Sequence, residues 1–250
     1  MKLLIASDIH LEFGASVPRL PEQDEYDVAI FAGDIGTAQK TPFWLARMEH
    51  EHCIYVPGNH EYYGIHYEGA QKWISEKCAD MGIHALNPGA VTIGDYTFIG
   101  ATLWPDLILQ NYWNEDYEHF ERGIADFRRI GMGGGPFSGK QCAELYAKEL
   151  AFIVQEIEKA KAAGKTPVVI THFVPTQLAI AAQFVGDAYT PYFVNDCDQV
   201  MIDHQLPLWI FGHSHVRMDF HHPVAGTRIV SNAFGYPNEM DKPEWKIIEI

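Results

Sequence analysis

The chain has 250 residues, 47% hydrophobic and 20% charged, ample for a buried core and ordinary for a water-soluble globular protein. Its 18 basic and 33 acidic residues leave a formal charge of −15, a field that repels nucleic-acid backbones and helps little at anionic membranes. No apolar run nears the ~20 residues that cross a bilayer, and Met1–Ala6 is too short for the apolar stretch of a signal peptide. The cysteines Cys53, Cys78, Cys142 and Cys197 lie far apart, so reduced thiols and a cytoplasmic location are expected.

Short runs of β-branched and aromatic residues predict strands, and amphipathic stretches between them predict helices. Leu3–Ala6 reads as a strand ending in Ser7-Asp8-Ile9-His10, and Val28–Ala32 as one ending in Gly33-Asp34. A helix is expected over Pro42–Glu51. The strand Cys53–Val56 runs into Pro57-Gly58-Asn59-His60, before a second helix over Glu68–Met81. Val91–Ile93 and Tyr96–Ile99 flank Gly94-Asp95, a good two-residue hairpin turn. The segment 105–139 fits this pattern poorly. It follows Trp104, carries Tyr112, Trp113, Tyr117, Phe120 and Phe127, and ends in the glycine-rich Met132–Gly139, so it reads as an insertion or cap on a single domain spanning 1–250. Further on come a helix over Lys140–Ala163, the strand Val168–Ile170 ending in Thr171-His172, and a helix over Asn195–Gln205. Leu208–Phe211 ends in Gly212-His213-Ser214-His215, and Ile229–Ser231 and Trp245–Ile250 close the chain as strands. This order suggests mixed sheets covered by helices.

Each polar ending falls at the carboxyl end of a predicted strand, the edge where α/β sheets collect ligands. Together they present Asp8, His10, Asp34, Asn59, His60, His172, His213 and His215. One histidine at a strand end is ordinary, but five strand ends all carrying carboxylate, imidazole or amide point to metal. Asp8 and His10, like His213 and His215, are two apart, so on an extended segment both side chains share a face. Gly33 and Gly58 precede ligands where a sharp turn calls for positive φ. Oxygen and imidazole donors without thiolate suit Mn, Fe, Co or Zn in a catalytic site.

The ordered motifs D-x-H, G-D, G-N-H-E, T-H and G-H-S-H resemble those of the calcineurin-like metallophosphoesterase superfamily, and they span residues 8 to 215. The resemblance implies a four-layer α-β-β-α sandwich of two mixed sheets, with the active site at strand carboxyl ends. It implies one metal on Asp8, His10, Asp34 and His215, and a second on Asp34, Asn59, His172 and His213. His60 would be the catalytic general acid. The implied reaction is hydrolysis of a small phosphate mono- or diester, with a nucleotide among the candidates, by a hydroxide bridging two transition-metal ions ~3.5–4 Å apart. Two divalent ions against Asp8, Asp34 and hydroxide leave roughly +1, which lets an acidic protein attract phosphate.

Departures from the motifs narrow the branch. Thr37 stands where purple acid phosphatases have a metal-binding tyrosine. Thr37-Ala38 and Pro57 replace the phosphate-gripping arginines of serine/threonine protein phosphatases, and His60 stands where lipid-A-pathway hydrolases carry arginine. The smaller bacterial-type phosphodiesterases and phosphomonoesterases remain. Gly134–Lys140 matches the start of a phosphate-binding loop, but Gln141 lacks the hydroxyl that would hold magnesium, and Ser138 near a helix start is the simpler reading. The aromatics after residue 103 offer either a stacking surface for a nucleobase or the packing of a small subdomain. The other functional readings are a non-catalytic scaffold, against which the full ligand set counts, and a nuclease, against which the charge counts.

Overall fold

A computed structural model describes residues 1–48, 50–109, 116–239 and 242–250. Its strands are β1 (Lys2–Ala6), β2 (Val28–Ala32), β3 (Cys53–Val56), β4 (His84–Ala85), β5 (Gly89–Ile93), β6 (Tyr96–Ala101), β7 (Gly131–Met132), β8 (Gly135–Pro136), β9 (Thr166–Thr171), β10 (Leu208–Phe211), β11 (Met218–His221), β12 (Arg228–Ser231) and β13 (Lys246–Glu249). The helices are α1 (Thr41–Leu45), α2 (Tyr67–Asp80), α3 (Tyr117–Gly123), α4 (Asp126–Arg129), α5 (Gly139–Ala162), α6 (Thr190–Phe193) and α7 (Asp198–His204).

One sheet has the order β13-β1-β2-β3-β4 and the other β11-β12-β10-β9-β6-β5. Both are mixed. β1 to β4 run parallel with β13 antiparallel, while β12, β10, β9 and β6 run parallel between the antiparallel β11 and β5.

The period-two alternation of the strands builds the layers. Leu3, Ile5, Ile30 and Ile54 of the first sheet meet Phe98, Val168, Ile170, Leu208 and Ile210 of the second in a shared apolar layer. The intervening residues Leu4, Phe31 and Tyr55 turn the other way, with Ile74 and Cys78 of α2. On the far side Val169, Trp209 and Phe211 pack with Ile153 and Ile157 of α5 and Met201 of α7. Two sheets are thus buried face to face with helices outside, the four-layer sandwich that the motifs imply.

Several expected elements come out shorter. The helix over Pro42–Glu51 closes at Leu45, and Ala46–Met48 follows it as a 3-10 turn. The helix expected from Asn195 starts at Asp198, because Asn195 is pinned to neighbouring chain: its side-chain amide donates to Leu103 O (2.9 Å) and its backbone amide to Val174 O (2.8 Å). The two-residue β4 and the half-exposed edge strand β11 carry too few apolar residues to be read from sequence. Ser138 caps α5, accepting from the Gln141 amide while the Gln141 side chain accepts from the Ser138 amide, so the loop-like glycine string is a hairpin and a helix cap. Trp104 is fully buried against Phe137 and Phe173, with ring centroids 4.9 and 5.4 Å away, and so belongs to the core. Tyr112 and Trp113 lie outside the described residues.

Candidate metal centre

The carboxyl ends of β1, β2, β3, β9 and β10 deliver the predicted residues to one place. They arrive on unusual backbone. Asp8, His10, Asp34, His213 and His215 all have φ between 49° and 69°, the left-handed region that costs a side-chain-bearing residue about 1 kcal/mol or more. The extended geometry expected for Asp8 and His10, and for His213 and His215, is therefore wrong. Tight turns aim these side chains, and His213 and His215 point to different clusters. Gly33 does have positive φ (+88°), but Gly58 does not: it is needed for space, since a Cβ there would meet Asp34 Oδ1 at 2.2 Å.

Three groups of the described residues bring ligand atoms within 4.8 Å of one another: His10 with Glu12 and His60, and two clusters made of the expected ligands, Asp8, His10 and His215 in one and Asp34, His172 and His213 in the other. Asp34 stands between them, Oδ2 lying 3.8 Å from His10 Nε2 and Oδ1 3.5 Å from His172 Nε2. Asn59 Oδ1 is 3.0 Å from His172 Nε2. His60 diverges from Asn59 as adjacency requires. Its backbone amide donates to Asp34 Oδ1 (2.9 Å), while its ring faces Glu12 (Nδ1, 2.9 Å) and the Tyr236 hydroxyl (Nε2, 3.2 Å).

The hydrogen bonds test whether metal fits. His10 Nδ1 is held by Glu12 Oε1 at 3.0 Å and His215 Nδ1 by Glu239 Oε2 at 2.6 Å, so the protons sit on those nitrogens. The two Nε2 lone pairs then face each other at 3.0 Å. Likewise His172 Nδ1 donates to Ala32 O (3.0 Å), turning its Nε2 lone pair onto the acceptor Asn59 Oδ1. Apposed acceptors repel unless a cation lies between them, and carboxylate- or carbonyl-anchored imidazoles are the usual way to present such lone pairs to metal. His213 Nε2 is buried with no hydrogen-bond partner. The donor set fits transition-metal ions in both clusters.

Sequence reasoning missed the residues that orient this set. Glu12 serves both His10 and His60, and His10 and His60 together outweigh its burial and hold it at about 2. Glu61 is fully buried and accepts from the amides of Asp34, Ile35, Gly36 and Gly58, tying the ends of β2 and β3 together. Burial and the neighbouring Asp34 push its carboxyl up. Asp126 accepts from Asn59 Nδ2 (3.2 Å), Tyr63 Oη (2.5 Å) and the Tyr192 hydroxyl. The only sequence signals were local: Glu61 follows His60 directly and Glu12 is two past His10. Asp126 and Glu239 gave none. Burial pulls His60 down, yet Asp34 outweighs it and its pKa rises to about 9. Burial, above all, holds His213 well below its ordinary value.

The calcineurin-like phosphoesterase family model matches residues 1–217. The chain belongs to this family. It is 24% identical over 266 residues to uncharacterized protein L509 of Acanthamoeba polyphaga mimivirus, covering 95% of this chain and 92% of that protein. Its fold is similar to the phosphopantetheinyl hydrolase PptH of Mycobacterium tuberculosis, with TM-score 0.68 and 16% identity over 99% of this chain and 95% of that one. A dimetal phosphatase from Danio rerio aligns with TM-score 0.52 and 11% identity over 92% of this chain and 86% of that one. The family is metal-dependent, and no described helix of the chain is long and apolar enough to cross a membrane.

Proposed function

We propose that this phosphoesterase is a dinuclear-metal phosphohydrolase of small phosphate mono- or diesters, acting in the cytoplasm with its four buried cysteine thiols reduced. The observation that carries the reading is the placement of Asp34, with one carboxylate oxygen turned to each histidine cluster. Asp8, His10, Asp34 and His215 would hold one ion, and Asp34, Asn59, His172 and His213 the other. Two such ions, when bound, supply Lewis acidity to phosphate oxygens and a water acidic enough to act as nucleophile.

The remaining chemistry falls to the chain. Glu12 accepts from His60 Nδ1, which favours a protonated ring and leaves Nε2–H as the proton donor at the cavity wall. His60 then protonates the departing ester oxygen. The Tyr236 hydroxyl, 3.2 Å from Nε2, holds that edge of the ring in place. Glu61 fixes the two strand ends from which Asp34 and Asn59 project.

The test is metal analysis of the purified protein, followed by assays with p-nitrophenyl phosphate, its bis-ester and a nucleotide panel after loading with Mn, Fe, Zn or Co. Two ions per chain and chelator-sensitive hydrolysis are expected, and the monoester-to-diester ratio sets the branch. Two bound ions with no turnover of any ester would favour a binding scaffold instead.

A further inference from the structure

Beside the centre lies a cavity of about 480 Å³ whose walls include Asn59, His60 and His213, within the size range of small-molecule sites. Its far half is apolar. Ile124 enters from between α3 and α4, Ile180 and Phe184 from the loop after β9, and Tyr189 and Phe193 from α6 and the residue preceding it. Phe193 lies face to face with the His213 ring, centroids 5.2 Å apart, so the apolar wall begins directly at the metal cluster. Phe184 is 50% exposed and Phe193 38%, so neither side chain is consumed by packing elsewhere.

The polar lining is one-sided. Asp34, Asp126, Asp187 and Glu239 contribute carboxylates, and no Lys or Arg is present among the described lining residues. Arg129 lies near, its guanidinium 5.0 Å from the Tyr63 ring centroid, but it does not line the cavity. Apart from the protonated His60 assigned to the leaving oxygen, further anionic charge would therefore meet carboxylates with no Lys or Arg among the described lining residues. An uncharged hydrocarbon arm would instead bury against Ile124, Ile180 and Phe184.

We infer that the cavity is a subsite for the alcohol part of the substrate, and that this alcohol is apolar and uncharged rather than a nucleotide or polyphosphate. This rests on the phosphohydrolase reading and specifies its substrate class. Ile124 and Asp126, from the described part of the segment expected to be an insertion, thereby serve the site as a wall.

The probes are methyl-, butyl- and octylphosphonate and adenosine monophosphate, titrated calorimetrically into the manganese-loaded protein. Affinity should rise about two- to fourfold per added methylene from methyl to butyl. Phe184→Ser and Ile124→Ser, on partly exposed walls, should keep the Kd of methylphosphonate, which does not reach them, while losing tenfold or more of the octyl gain. Equal Kd along the series, or adenosine monophosphate binding more tightly than octylphosphonate, overturns the apolar subsite and leaves the phosphohydrolase reading standing. Failure to bind methylphosphonate at all overturns that reading, and the subsite with it.

Discussion

The Asn59 side chain donates its amide to Asp126 Oδ1 at 3.2 Å, which turns its carbonyl oxygen to within 3.0 Å of His172 Nε2. The carboxylate thus chooses which end of the amide faces the cluster of Asp34, His172 and His213. Asp126→Asn removes that choice and leaves two tyrosine hydroxyls without an anion. One of the two ions should bind ~10–100-fold more weakly, the usual cost of losing such a partner, while the other stays. Metal content during dialysis against graded chelator measures this, and unchanged retention of both ions would make Asp126 a core residue only.

Asp34 has an oxygen toward each cluster, so Asp34→Asn should damage both. Metal content should fall to about one ion or fewer per chain, and hydrolysis with it. The amide still accepts from the His60 backbone through its oxygen, so the fold should survive. A variant that keeps two tightly bound ions would show the bridge to be misassigned.

His60→Ala separates proton donation from metal binding. Both ions should remain, because the His60 ring faces Glu12 and Tyr236 while its backbone amide serves Asp34. The rate should fall ~10²–10⁴-fold on alkyl esters, whose leaving groups need a proton, and less on p-nitrophenyl esters. Equal loss on both would assign His60 to phosphate binding, and loss of metal would make it a ligand.

Away from the centre, Glu149 of α5 is fully buried, and burial lifts its carboxyl from 4.5 to about 8 against the opposing amides of Trp104 and Leu103. The native state keeps a proton that the unfolded chain releases. Its contribution to stability is full below pH 4.5 and declines as pH rises toward 8. Glu149→Gln keeps an acceptor for the Trp104 amide and removes the titration. Relative to the parent, the variant should gain about 1–3 kcal/mol between pH 5 and pH 8 in urea unfolding. A difference that stays flat with pH would mean that Glu149 ionises normally.

The sequence by itself determined which residues gather and in what layers. Val28–Ala32, Cys53–Val56 and Leu208–Phe211 were readable to the residue, because each is a short apolar run stopped by glycine, proline or a ligand motif. That Asp8, His10, Asp34, Asn59, His60, His172, His213 and His215 come together was readable for the same reason, since each stands at the end of an apolar strand and those ends share one edge. Tertiary structure alone decided their aim. The left-handed turns at Asp8, His10, Asp34, His213 and His215 are imposed by the surrounding packing against local preference, and no spacing rule foresees them. It also decided the orienting carboxylates: Asp126 is 67 residues from Asn59 and Glu239 is 24 from His215, separations at which only a packed fold creates neighbours. The apolar wall of the cavity is of the same kind, drawn from segments that share no pattern along the chain and meet only because α3, α4 and α6 fold over the ends of the same strands.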